Sequence, residues 1–171
     1  MIYVEDNLFE DINVFFDLLG NIDLKSKKPD ENWQGYRSQN LNLVNEKAFN
    51  FALHTMIEKF PPLQNVNFSA DMAVHLRADD FINPHTDPSD YNCLVYLKGD
   101  VSQFNGTGFY TEVGDQHVLN ATVGFQPNRA ILFKGSHRHA CLNGLQANAP
   151  IDTNRYTLNT FFYFEKKHHE K

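Results

Sequence analysis

Residues 128–140 read Asn128-Arg129-Ala130-Ile131-Leu132-Phe133-Lys134-Gly135-Ser136-His137-Arg138-His139-Ala140, an apolar run that passes through a glycine into two histidines. Ala130 to Lys134 has the length and composition of one strand, so a histidine-rich end follows a strand directly. Outward from it, runs bounded mostly by Gly and Asn predict further strands over 67–77, 92–97, 108–113, 117–123 and 155–164. Before Pro61-Pro62 the apolar period lengthens. Leu8, Phe9, Ile12, Phe15, Phe16 and Leu19 recur at spacings of three and four after Asp6-Asn7, and Gly20 closes a first helix. A second starts near Asn45, carries Phe49, Leu53, Ile57 and Phe60 as its stripe, and ends before the two prolines. Helices first and strands afterwards, without regular alternation, predict a mainly β sandwich or barrel with supporting N-terminal helices.

A chain of 171 residues, at roughly 150 residues per domain, predicts a single domain. Its helical support spans 1–62 and its barrel core 63–165. A formal charge of −6 lacks the basic footprint of a phosphate-backbone binder, which argues against nucleic acid as a partner. Fifteen Phe and seven Tyr supply enough apolar area for a core and exclude the disordered class. With only Cys93 and Cys141, neither a disulfide scaffold nor an all-thiolate zinc site can be built from one chain. No stretch approaches the ~20 apolar residues of a membrane span, and no leader is evident at the N-terminus. The expected setting is the cytoplasm, with no membrane partner.

Asn83-Pro84-His85-Thr86-Asp87-Pro88 carries the first chemical signal. In an extended segment residues i and i+2 project to one face, so His85 and Asp87 can meet one ion. An imidazole and a carboxylate at that spacing form half of the facial arrangement that holds non-heme Fe(II) with positions left open. His137 or His139 can complete it: the two share a parity, and Gly135 can reset the alternation, so pleating alone does not choose between them. On the last strand Arg155, Thr157, Asn159 and Phe161 share a face. If that face lines a barrel, the confined guanidinium needs an anionic partner to offset its desolvation, which a dicarboxylate would supply.

Taken together, these groups resemble the Fe(II)- and 2-oxoglutarate-dependent oxygenases, particularly the prolyl-4-hydroxylase-like branch. The resemblance runs from about Asn67 to Phe164 and includes the aromatic strand Cys93-Leu94-Val95-Tyr96-Leu97 and the Gly-rich Gly106-Thr107-Gly108-Phe109-Tyr110. It implies a double-stranded β-helix, or jelly-roll, core. It implies that His85, Asp87 and His139 are the metal ligands and catalytic centre; His139 stands six positions after Phe133, the family's spacing, and Ala140 follows it as a small residue. By the same resemblance Arg155 clamps the distal carboxylate of 2-oxoglutarate, Thr157 adds a hydroxyl, and Tyr96 adds a phenol donor, with Asn92 and Leu94 beside them. The expected cofactors are Fe(II), 2-oxoglutarate and dioxygen. The expected reaction is hydroxylation of a C–H bond, with release of succinate and CO2.

Two features depart from the pattern. The stretch between His139 and Arg155 is longer than usual, so 143–154 is expected to form an extended loop, and His75 stands ten positions before His85 where a relative carries Tyr. The expected substrate is a peptidyl residue, a protein side chain or a small molecule such as an amino acid, with segment 25–40 (Trp33, Tyr36, Arg37) and the turn 99–107 as candidate lids. A non-catalytic sensor of the same fold is the alternative from another class. A zinc hydrolase is the other, weakened by the lack of a His-Glu-x-x-His helix. His54, His117, His168 and His169 are assigned no role in the site.

Overall fold

The computed structural model describes residues 1–26, 35–77, 83–142 and 155–165. The elements in chain order are β1 (Ile2–Glu5), α1 (Ile12–Leu19), β2 (Lys25–Ser26), β3 (Tyr36–Arg37), α2 (Leu41–Val44), α3 (Glu46–Lys59), a 3-10 turn (Pro61–Leu63), β4 (Phe68–Leu76), β5 (Tyr91–Lys98), β6 (Ser102–Val113), β7 (Gln116–Phe125), β8 (Ala130–Lys134), β9 (His139–Cys141) and β10 (Tyr156–Phe164). Trp33, the stretch 143–154 expected to form an extended loop, and His168 and His169 lie outside the described residues.

Seven strands form one antiparallel sheet in the order β1-β8-β5-β10-β4-β3-β2, and β7-β6-β9 form a second. The result is the mainly β jelly-roll expected, with helices on one side. β8 is apolar from Ala130 to Phe133 because both of its faces are buried there, and it ends on the exposed Lys134. Ala130 and Leu132 join Met72, Val74, Cys93, Val95, Leu158 and Phe162 against the helices, while Ile131 and Phe133 point inward with Tyr96 onto Phe109 and Phe125 of the small sheet. Phe109 meets Phe133 edge-on at 5.1 Å, and Tyr96 stacks on Phe125 at 4.7 Å. Among the described residues no helix is long and apolar enough to cross a membrane.

Several boundaries move, each for a local reason. The first helix begins at Ile12, capped by Asp11, because Asn7 adopts φ 58° and turns the chain before Leu8. Leu8 and Phe9 are therefore buried outside the helix, tied to Asn128. On α3 the most buried positions are Ala48, Ala52 and Met56, flanked by the expected aromatic and aliphatic stripe; small residues let the helix lie close on the sheet. Asn45 caps α3 at the Ala48 N–H and also donates to the carbonyls of Leu18 and Leu19, joining the two helices. Strand β1, inside the stretch expected to be only helical support, pairs with β8 from Ile2↔Phe133 to Glu5↔Ala130.

The expected turn over 99–107 is also corrected. Most of it is the start of β6, where Gly106 lies against β7 so closely that a Cβ would stand 1.8 Å from the Val123 carbonyl oxygen. A glycine required by close packing reads like a loop signal in the sequence.

Asn128 gives a stability prediction. At φ 65° it donates from Nδ2 to the Phe9 carbonyl at 2.7 Å and accepts the Phe9 N–H at 2.9 Å, fastening the N-terminal segment to the β7–β8 connection. Asn128→Gly keeps the backbone conformation and loses both bonds, so a loss of about 1–3 kcal/mol is expected in urea denaturation. Asn128→Ala adds roughly 1–2 kcal/mol of left-handed strain.

Candidate metal and carboxylate site

The segment entering β5 is pinned to the end of β8 and to β9. His85 and His139 exchange backbone hydrogen bonds at 3.0 and 2.8 Å, and the Asp87 N–H donates to the Gly135 carbonyl at 2.8 Å. β9 in turn pairs with β6, His139 opposite Phe109. Backbone ladders thereby bring residues distant in sequence together. The donor atoms of His85, Asp87 and His139 all lie within 4.8 Å of one another. Asp87 Oδ1 is 3.9 Å from His85 Nε2, and Oδ2 is 3.3 Å from His139 Nε2.

Both rings are held by their other nitrogen. His85 Nδ1 lies 3.0 Å from the Asn83 carbonyl and His139 Nδ1 2.9 Å from the His137 carbonyl. Donation from Nδ1 leaves the Nε2 lone pair for a cation. Phe133 packs edge-on against the His139 ring at 4.6 Å. Burial opposes ionisation of Asp87, but with the imidazoles protonated the His139 hydrogen bond and the charges of both histidines, together with the Asn92 amide, hold its carboxyl below the usual carboxylate range. His137 contributes its carbonyl and keeps its ring outside this group. Burial, the N-terminal charge, Lys134 and His139 all push its imidazole down.

A cavity of about 680 Å³ extends from these groups into the barrel. Arg155, Thr157, Asn159 and Phe161 line it, as the parity of β10 predicts, together with Asn92 and Leu94 across the β5 pairing and His75 across the β4 pairing. Arg155 is 3% exposed. Its Nη1 donates to the Gly106 carbonyl at 3.0 Å, its Nη2 to Thr107 Oγ1 at 3.1 Å, and its guanidinium lies 5.0 Å over the Tyr96 ring. Among the described residues its buried Nε has no partner and no carboxylate pairs with it.

Two expected donors are placed differently. Tyr96 shares the inward face of β5 but does not line the cavity; fully buried, it directs its hydroxyl to Thr107 Oγ1 at 2.8 Å, with the Val123 carbonyl at 3.1 Å. Thr107, which the sequence reading passed over inside a glycine-rich stretch, brings the hydroxyl to the cavity wall. Thr157 lines the cavity, but its hydroxyl donates to Asn159 Oδ1 at 2.6 Å, and Asn159 Nδ2 reaches His75 at 3.3 Å. Both cysteines are free: Cys93 is fully buried among the helix-facing residues, which pushes its thiol far up, and Cys141 lines the cavity.

No protein-family model matches this chain, and no curated protein matches it in sequence. Solved structures do. HygX from Streptomyces hygroscopicus, solved with nickel, 2-oxoglutarate and hygromycin B bound, is similar at TM-score 0.66 and 13% identity, over 95% of this chain and 82% of that one. The non-heme alpha-ketoglutarate-dependent epimerase SnoN of nogalamycin biosynthesis gives TM-score 0.64 and 13% identity, over 95% and 78%. The fold is that of the Fe(II)- and 2-oxoglutarate-dependent oxygenases. YcfD, a ribosomal oxygenase from Escherichia coli solved with cobalt and 2-oxoglutarate, is similar at TM-score 0.54 and 10% identity, over 99% of this chain and 49% of its own. These proteins share the barrel while acting on different chemistry, so the fold by itself names no substrate.

Proposed function

We propose that the protein is an Fe(II)- and 2-oxoglutarate-dependent dioxygenase that hydroxylates a C–H bond of a peptidyl or amino-acid substrate, releasing succinate and CO2. One observation carries the reading: His85, Asp87 and His139 converge on the wall of a cavity that is also lined by a buried guanidinium whose Nε has no partner among the described residues. The residues fit the absent groups. Two imidazoles and one carboxylate suit Fe(II) with open positions, and a buried Arg155 with no acid beside it among the described residues calls for an anion.

When bound, the iron and 2-oxoglutarate supply the dioxygen-dependent oxidation that side chains cannot perform. The protein's share is placement. His85 and His139 are aimed by carbonyls through Nδ1, and Asp87 stays ionised. Arg155, with Thr107 beside it and Tyr96 beneath, anchors the distal carboxylate at the deep end, while Thr157 and Asn159 form the adjoining wall. Asn83, Thr86 and Pro88 line the cavity yet are exposed, which sets its mouth beside the metal ligands, where a substrate C–H bond would enter.

Anaerobic titration with Fe(II) and then 2-oxoglutarate tests the proposal. The expected result is a visible charge-transfer band at one equivalent, followed by succinate on admitting air. A band without succinate for any peptide or amino acid favours a sensing module. Neither band nor succinate removes the reading.

A further inference from the structure

The carboxylate of Asp87 is held unevenly. Its Oδ2, 3.3 Å from His139 Nε2, accepts the Asn92 amide N–H at 2.5 Å, whereas Oδ1, 3.9 Å from His85 Nε2, accepts no hydrogen bond among the described residues. The Asn92 amide is itself fixed in orientation, because its Oδ1 accepts the Ser89 hydroxyl; a flipped amide would turn oxygen toward carboxylate. Asn92 and Ser89 are both buried, 1% and 5% exposed. Their turn is locked to the strand leading to His139. Gly135 donates to the Asp90 carbonyl at 3.2 Å, and a Cβ on it would lie 2.1 Å from the Ser89 carbonyl oxygen, so only glycine allows this approach.

Resting on the reading of Asp87 as a metal ligand, we infer that Asn92, locked by Ser89, is a positioning residue that reserves Oδ1 of Asp87 for the metal and holds the carboxylate to one-oxygen ligation. A carboxylate free to rotate can offer both oxygens to a cation. That would consume a coordination position which a bound co-substrate or dioxygen needs. An Asn92 N–H on Oδ2 opposes the rotation, and the buried Ser89 prevents the amide from letting go.

Co(II) binding to the full chain tests this without turnover, since its visible absorption reports coordination number. Asn92→Ala is expected to weaken Co(II) affinity roughly 10–100-fold, the range seen when an outer partner of a ligand is lost, and to alter the absorption envelope. Ser89→Ala should move both in the same direction by less, and Ser89→Thr, which keeps the hydroxyl, should restore them. A purely structural role would lower the metal-free melting temperature and leave the Co(II) spectrum as it was. Unchanged affinity and spectrum in both alanine variants overturn the inference. Failure of the unaltered protein to take up Co(II) overturns the metal reading itself, a result the wild-type titration gives on its own.

Discussion

His139→Ala is expected to abolish metal-dependent 2-oxoglutarate turnover, while His137→Ala keeps most of it. The two histidines stand two residues apart and look equivalent in the sequence, but the fold separates their roles. His139 faces Asp87 at 3.3 Å with its ring held by a carbonyl and by Phe133. What His137 gives the site is that carbonyl, a backbone group that alanine retains. Losing one of three ligands should reduce metal affinity by more than the roughly 10–100-fold typical of an outer partner. Losing the His137 ring should cost at most about 1 kcal/mol of stability. Succinate release and Co(II) titration of both variants check this, and the opposite pattern would move the ligand to His137.

The reason the sequence left that choice open is instructive. Parity along a strand assigns faces only while the strand continues, and between Lys134 and His139 the chain turns, with the His137 N–H donating back to the Lys134 carbonyl. His139 then starts β9, a strand of three residues whose partners, Gly108 and Phe109 among them, lie some thirty positions upstream. Nothing local marks so short a strand. Parity did reveal the β10 wall, because that strand runs unbroken for nine residues and alternates cleanly between helix-facing Leu158 and Phe162 and cavity-facing Thr157, Asn159 and Phe161. Tyr96 is placed differently from the expectation for another reason. It lies on the correct face, but the depth of the barrel at that level, filled by Phe125 and Thr107, cannot be read from one strand. Leu8 and Phe9 satisfied helical spacing while an asparagine in the left-handed region redirected the chain, a tertiary tie to Asn128 overriding local periodicity.

Arg155→Ala carries the second large effect: the 2-oxoglutarate concentration needed for half-maximal turnover should rise about thirtyfold to a thousandfold, the equivalent of ~2–4 kcal/mol for loss of a buried charge-assisted contact. The guanidinium is prepared for an anion from several sides. Two of its nitrogens are committed to Gly106 and Thr107, the Tyr96 ring supports its face, and the buried Nε has no partner among the described residues. Orientation is thus already fixed, so a carboxylate arriving in the cavity meets a donor that loses little freedom on binding. Arg155→Lys keeps the charge but not the planar fork and should fall between the two. Tyr96→Phe discriminates direct from indirect roles. It preserves the ring under the guanidinium and removes only the hydroxyl bonded to Thr107, so a change of no more than about tenfold is expected, near 1 kcal/mol. A Tyr96→Phe effect as large as that of Arg155→Ala would return the phenol to direct contact with the co-substrate. An unchanged 2-oxoglutarate requirement in Arg155→Ala, with the variant folded by thermal melting, would take Arg155 out of the site and leave its burial without a purpose.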